Sequence, residues 1–269
     1  MKTLVLANQK GGVGKSAVAC QLAHYYAARG QRVLFIDLDH QMNSTRALRR
    51  HAKVVTTSFS SSAVLSGDVD ELANAPFVLV PGDEALSHLE RQPAHHQDYL
   101  DRLYDFVQAR GTSFDLCVID TNPNPDIRYG AALVASDFIL SPIELNQEAI
   151  DGIRGLLHHT RWGYYKLQGL IKSHELELIG ILPNLVEPTP FQRANFKKLV
   201  ETHAQLLIPT DGPQGFLGIP TRTAIAEAQA HGMYLADMPK TSARDAFKEV
   251  KACFDVIAKR MALEISHVA

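Results

Sequence analysis

The stretch Asn8-Gln9-Lys10-Gly11-Gly12-Val13-Gly14-Lys15-Ser16 constrains this chain more than any other. Residues 1–7 before it read as a short apolar strand. Residues 17–28 after it read as a helix with apolar positions at helical spacing. Strand, glycine turn and helix is the context in which a loop cradles phosphate. Side chains at the glycines would block an anion, and their absence lets backbone N–H groups converge on it. The new helix points the positive end of its dipole at the same spot. In that frame Lys15 reaches the β- and γ-phosphates and the Ser16 hydroxyl ligates Mg²⁺. The bland alternative is a glycine-rich turn before an ordinary helix.

A second constraint comes from acids at strand ends. Residues 33–36 form an apolar strand that runs into Asp37-Leu38-Asp39. Residues 116–119 form another that ends at Asp120. Acids at the carboxyl ends of strands beside a phosphate loop are placed for Mg²⁺ or water. Asp120 falls where a P-loop protein holds Mg²⁺ through water. The alternatives are an ordinary terminal Asp at 120 and helix capping by Asp37 and Asp39.

The loop departs from the ordinary P-loop, with Gln9 where the first glycine would fall and Lys10 opening the loop. Lys10 to Ser16 resembles the deviant Walker A motif of the ParA/MinD ATPases. The segment from Asp37 to Thr45 resembles that family's D-x-D-P-Q-x-N-x-T, with His40 for Pro and Met42 for the usual Gly. The resemblance implies an ATPase that uses ATP and Mg²⁺. Lys10 would cross a homodimer interface to the partner's ATP, and Asp39 would orient the attacking water. Asp37 would support the metal shell formed with Ser16 and Asp120. The nucleotide would be held by Lys10, Gly11, Gly12, Val13, Gly14, Lys15, Ser16 and Ala17. Asn184 and Pro220 would lie at the adenine, although a simple Asx turn also explains Asn184. Two departures bear on the site. Ala17 replaces a hydroxyl residue that contacts phosphate, and Asn122 replaces one proline of the family's D-x-P-P.

Strands alternate with helices from end to end, as a mostly parallel, twisted sheet with helices on both faces requires. The expected fold is therefore α/β, of the P-loop NTPase type, in a single domain spanning 1–269. Further strands are expected at 77–80, 137–142 and 176–182. Helices are expected after Gly82 to about 92 and over 97–110, 147–157, 188–206 and 242–263. Residues 53–75 are less legible, and Ser58 to Ser62 read as loop. His95 and His96 read as solvated loop histidines. Trp162, Tyr164 and Tyr165 read as a packing face, with base stacking as the alternative.

Formal net charge is −2, so any nucleic-acid surface must be a local patch. Cys20, Cys117 and Cys253 form no C-x-x-C pair and are expected as buried thiols. They do not suit a cluster-ligating reductase. No signal peptide or membrane-length apolar run is expected.

The resemblance implies a ParA-like partition ATPase: a cytoplasmic ATP dimer that joins the nucleoid by binding DNA without sequence preference. A ParB-like centromere-binding partner would stimulate its slow hydrolysis. Arg222 and the i, i+4, i+7 stripe Arg244, Lys248, Lys251 are the candidate DNA contacts; a solvated face is the alternative. Two other readings are a MinD-like membrane-associated ATPase and an ATP-switched scaffold for a protein cargo. The first needs a membrane-binding closing helix, and the apolar residues from Ile257 onward fit core packing better.

Overall fold

The computed structural model describes residues 1–211 and 215–263. Its elements in chain order are β1 (Lys2–Leu6), α1 (Lys15–Ala27), β2 (Val33–Asp37), α2 (Asn43–Leu48), β3 (Val55–Thr56), α3 (Ser61–Ser66) and β4 (Phe77–Val80). There follow α4 (His96–Gln108), β5 (Leu116–Asp120), α5 (Ile127–Val134), β6 (Phe138–Glu144), α6 (Gln147–His158), α7 (Tyr164–Leu170) and β7 (Glu177–Asn184). The chain closes with α8 (Pro190–His203), α9 (Thr223–His231) and α10 (Thr241–Arg260).

The strands form one seven-stranded sheet in the order β3-β4-β2-β5-β1-β6-β7. Every named pairing is parallel. The central strands are apolar at nearly every position because both faces are covered. Successive residues serve opposite faces. Leu4, Leu6, Phe35 and Val118 pack with α1, α9 and α10 on one side. Val5, Leu34, Ile36 and Ile119 pack with α3, α4 and α5 on the other. A smaller core joins the far edge, at β6 and β7, to α6 and α8.

β5 sits between β2 and β1, and Asp37 pairs in register with Asp120. The chain works outward from β1 to one edge, returns through β5, and then leaves on the other side through β6. Ligands in open parallel sheets bind at such a reversal, beyond the strands' carboxyl ends. All three acids and the phosphate loop lie there.

Several expected boundaries shift. Ser58 to Ser62 is not simply loop: Ser61 and Ser62 open α3 and are buried. The Asp83 carboxylate accepts from Ser60 Oγ at 2.6 Å and from the Ser62 hydroxyl, so these polar residues form a helix start against a neighbouring turn. The helix after Gly82 is a 3₁₀ helix, Glu84–Arg91. The helix expected over 188–206 closes at His203 and continues only as a 3₁₀ turn, Ala204–Leu206. The closing helix stops at Arg260, and the tail residues 264–269 lie outside the described residues.

His95 is exposed as expected, but His96 is only partly exposed. It opens α4, and its Nδ1 lies 2.6 Å from Arg161 Nη2. Trp162 is buried in the second core, with Tyr164 packed against it, as a packing face requires. Tyr165 is half exposed. All three cysteines are buried thiols.

Candidate functional site

The phosphate loop is pinned at its start. Asn8 Nδ2 donates to the Pro142 carbonyl at 2.9 Å, while Asn8 Oδ1 accepts from the Lys10 backbone at 2.8 Å. Gln9 Nε2 donates to the Gly155 carbonyl at 3.0 Å, fixing the loop to α6. Gly12 and Gly14 take φ of 79° and 82°, a conformation that costs an L side chain roughly 1–2 kcal/mol. Gly14 has a second reason to be glycine: a Cβ there would collide with Asn184 Nδ2. Asn184 in turn donates to the Val13 carbonyl at 2.8 Å, so the end of β7 holds the loop from beneath. That contact replaces the simple Asx turn.

Lys15 is 7% exposed, and its Nζ donates to the Lys10 carbonyl at 3.0 Å. Burial pushes its pKa down, and the carboxylates of Asp120 and Asp39 pull it back up. Lys10 points elsewhere. Its Nζ donates to Asn146 Oδ1 at 3.0 Å and to Glu148 Oε2 at 2.7 Å, around the start of α6.

The acids differ in their surroundings. Both oxygens of Asp37 are taken: Oδ1 accepts from the Asp39 N–H at 3.0 Å, and Oδ2 from the Thr45 N–H and Oγ1 at 2.8 and 2.7 Å. Asp37 thus braces the segment that carries Asp39. Asp120 keeps one oxygen open. Oδ2 accepts from Ser44 Oγ at 2.7 Å, whereas Oδ1 is buried without a hydrogen-bond partner. Burial raises the pKa of both acids. For Asp120, the hydroxyls of Ser16 and Ser44 and the charge of Lys15 work against that rise. A buried carboxylate oxygen without a donor, beside a serine hydroxyl and under a phosphate loop, is the donor set Mg²⁺ takes when phosphate and water complete its shell. Among the described residues there is no cluster of three or more His, Cys, Asp or Glu side chains suited to a metal. Asp39 is 6% exposed; its Oδ1 accepts from the Gln41 N–H at 2.9 Å.

Beside the loop lies a cavity of about 260 Å³ with an almost wholly apolar lining, including Ala17, Asn184, Ile219, Pro220 and Phe254. Backbone bonds from Ile219 N to the Pro183 carbonyl and from Thr221 N to the Val186 carbonyl bring residues 219–221 against the end of β7. The cavity offers a planar base apolar walls next to the phosphate loop. Asn184 and Pro220 both line it.

Four contributors escaped the sequence reading. Ser44 holds Asp120. Thr45 Oγ1 donates to Asp37 and accepts from the Gly82 N–H at 2.9 Å. Gly82 leaves room for this segment, since a Cβ there would lie 2.8 Å from the Asp39 carbonyl. Arg128 is 4% exposed, bonds to the Asp126 carboxylate, and places Nη1 3.0 Å from His40 Nδ1. Asn122 Nδ2 donates to the same Asp126 at 3.0 Å. The two positions where the chain departs from the family's prolines, His40 and Asn122, are thus joined through Arg128 and Asp126. Only Thr45 had a sequence signal, as the last position of the acid-containing motif.

The candidate DNA contacts do not gather into an open cationic stripe. Arg222 is bound to both oxygens of Glu249, Lys248 to Asp245 at 3.2 Å and Lys251 to Asp255 at 2.6 Å. Arg244 is exposed. Among the described residues, no helix is long and apolar enough to cross a membrane.

Residues 1–170 match a family profile described as an AAA domain, AAA_31. Over 97% of its length the chain is 33% identical to the protein IncC of Escherichia coli, covering 70% of that protein. It is 29% identical to the chromosome-partitioning ATPase Soj of Thermus thermophilus, covering 90% of each. Among solved structures, an ATP complex of Cyanothece McdA superposes with a TM-score of 0.78 at 21% identity, over 98% of this chain and 97% of that one. A putative plasmid partition protein of Borrelia burgdorferi bound to AMPPNP gives 0.71 at 21% identity, over 96% and 99%.

Proposed function

We propose a partition-type ATP switch for this chain, which belongs to the ParA/MinD family of deviant Walker A ATPases. The observation that carries the reading is the meeting of Lys15, Ser16, Asp39 and the open oxygen of Asp120 at one reversal point, beside an apolar cavity sized for a base. Lys15 and the loop N–H groups neutralise phosphate charge. Ser16 and Asp120 would hold Mg²⁺, which supplies charge neutralisation at the phosphates. Asp39 orients and deprotonates the water. Asp37 and Thr45 fix Asp39 in place.

Lys10 gives the switch its second subunit, through the phosphates of a partner's ATP. A dimer that binds DNA doubles the phosphate contacts of one chain. Hydrolysis then dissolves the dimer and releases the DNA, and a centromere-binding partner protein sets the rate. The chain works in the cytoplasm and joins the nucleoid while ATP is bound.

The test is binding to a nonspecific duplex and to anionic liposomes, with ADP and with ATP–Mg²⁺, over a salt series. The expected result is duplex binding with ATP only, weakening steeply with salt, and no liposome binding. Liposome binding alone would overturn the partition reading in favour of a membrane-positioning ATPase. Binding to neither would overturn it in favour of a protein cargo.

A further inference from the structure

Residues 40–67 contain no Asp or Glu, yet Arg46, Arg49, Arg50 and Lys53 fall within one short span of them. All four are exposed. Their spacing is i, i+3, i+4, i+7, and helical turns continue beyond α2 through Arg49 N to the Thr45 carbonyl and Arg50 N to the Ala47 carbonyl. The cations therefore share one side of this segment. Their hydrogen-bond partners are neutral: Arg46 Nη2 donates to Asn43 Oδ1 at 2.7 Å, and Arg50 to the Ala230 carbonyl. One opposing charge, Asp237, lines a small pocket with His51 and Lys53. The closing helix differs, because its Lys248 and Lys251 are each matched by an aspartate of the same helix.

This cationic face is also wired to the nucleotide site. The first turn of α2 carries Ser44, bonded to Asp120, and Thr45, bonded to Asp37. Arg49 lies five residues beyond Ser44, about 7 Å along a helix. On its flank, α9 starts at the base cavity, which Thr223, Ile225 and Ala226 line, and ends against α2. There Gln229 Nε2 donates to the Asn43 carbonyl at 3.4 Å, and a Cβ on Gly232 would overlap the Ala47 carbonyl.

We propose that α2 and the turn after it, through Arg46, Arg49, Arg50 and Lys53, form the surface on which this chain binds the phosphate backbone of duplex DNA. The proposal rests on the partition reading and relocates its DNA contact from the closing helix to a face next to Asp39 and Asp120. Guanidinium groups suit phosphate because their planar fork matches two oxygens. A helical stripe of cations in a stretch without carboxylates is the electrostatic footprint of such binding.

The experiment measures binding of a nonspecific duplex to the full chain with ATP–Mg²⁺ across salt. It compares wild type with two double variants, Arg49→Ala/Lys53→Ala and Lys248→Ala/Lys251→Ala. Each lost phosphate contact should make the log–log salt slope shallower by about 0.9. The first variant is expected to lose about 2 from the slope and about tenfold or more in affinity, with fluorescent-ATP binding unchanged as proof of folding. Arg49→Lys/Lys53→Arg should keep the wild-type slope. The closing-helix variant should keep it too, since its lysines are already neutralised. Wild-type duplex binding with a slope that falls only in the closing-helix variant overturns this surface and leaves the partition reading standing. No duplex binding by wild type in ATP overturns both. Binding to phosphatidylglycerol vesicles through Arg49 and Lys53, without duplex binding, also overturns both and assigns the surface to a membrane.

Discussion

Thr45 shows how much one side chain holds. Its hydroxyl donates to the buried Asp37 and accepts from the Gly82 N–H, so it ties the acid-bearing segment to the end of β4. Thr45→Val keeps the shape and removes both bonds. The buried Gly82 N–H is then left without a partner, at a cost of about 1–3 kcal/mol, while Asp37 Oδ2 keeps only the Thr45 N–H. The expected outcome is a lower urea midpoint at unchanged m-value, together with slower turnover because Asp39 is no longer braced. A midpoint equal to wild type would show that Thr45 is not structural. The role of Thr45 is half-legible in sequence: its place in the motif is visible, but the partner at Gly82 lies far along the chain. Met42 is similar. It stands where the family uses glycine, and the structure gives it φ of 55°, a left-handed conformation that glycine adopts without penalty. Asn122 and His40 could be marked as departures. Their link through Arg128 could not, because no local pattern announces a long-range bond.

At the level of elements, the long buried strands were legible because a run covered on both faces is apolar at every position. The phosphate loop and the acids at strand ends were legible for the same reason, since they punctuate those runs. Short elements were not. α2 and α3 have six residues each, too few to show a period, and α3 is rich in serines that look like loop. Packing between elements was also hidden, and His24 is the clearest case. It sits on α1, 4% exposed, with its ring 4.5 Å from that of His51 and 5.5 Å from that of Phe77. Burial, reinforced by the positive charge of protonated His51, pulls its pKa down to about 3. The unfolded chain takes up that proton below about 6.5 and the folded chain does not. His24 therefore removes stability as pH falls from about 6.5 toward 3, by up to roughly 1.4 kcal/mol per pH unit. The raised carboxyls of Asp37 and Asp120 act in the opposite sense, since the folded chain binds their protons first as pH falls. Only the difference between variants isolates the histidine. His24→Leu should lose less stability than wild type between pH 7 and 5, measured by urea unfolding. Parallel stability curves for the two proteins would refute the assignment.

At the scale of the whole molecule, the two loop lysines are placed differently. Lys15 is enclosed, whereas Lys10 stretches over the loop to the start of α6, where Glu148 and Asn146 hold it. The Lys10 ammonium keeps the Glu148 carboxyl below its ordinary pKa. If Lys10 contacts a partner's ATP, it must leave Glu148 first, and the dimer competes with this internal pair. Glu148 is fully exposed to solvent and screened by salt, so the competition is weak. Glu148→Gln should therefore tighten the ATP-dependent dimer by a few-fold at low salt, read by analytical ultracentrifugation with a slowly hydrolysed ATP analogue. The gain should fade as salt rises, because salt already loosens the wild-type pair. Lys10→Ala in the same assay should bind the nucleotide and remain monomeric. A Glu148→Gln dimer more than tenfold weaker than wild type would mean that Glu148 itself bridges the subunits. In that case the pair with Lys10 would belong to the assembled interface and would not restrain the free chain.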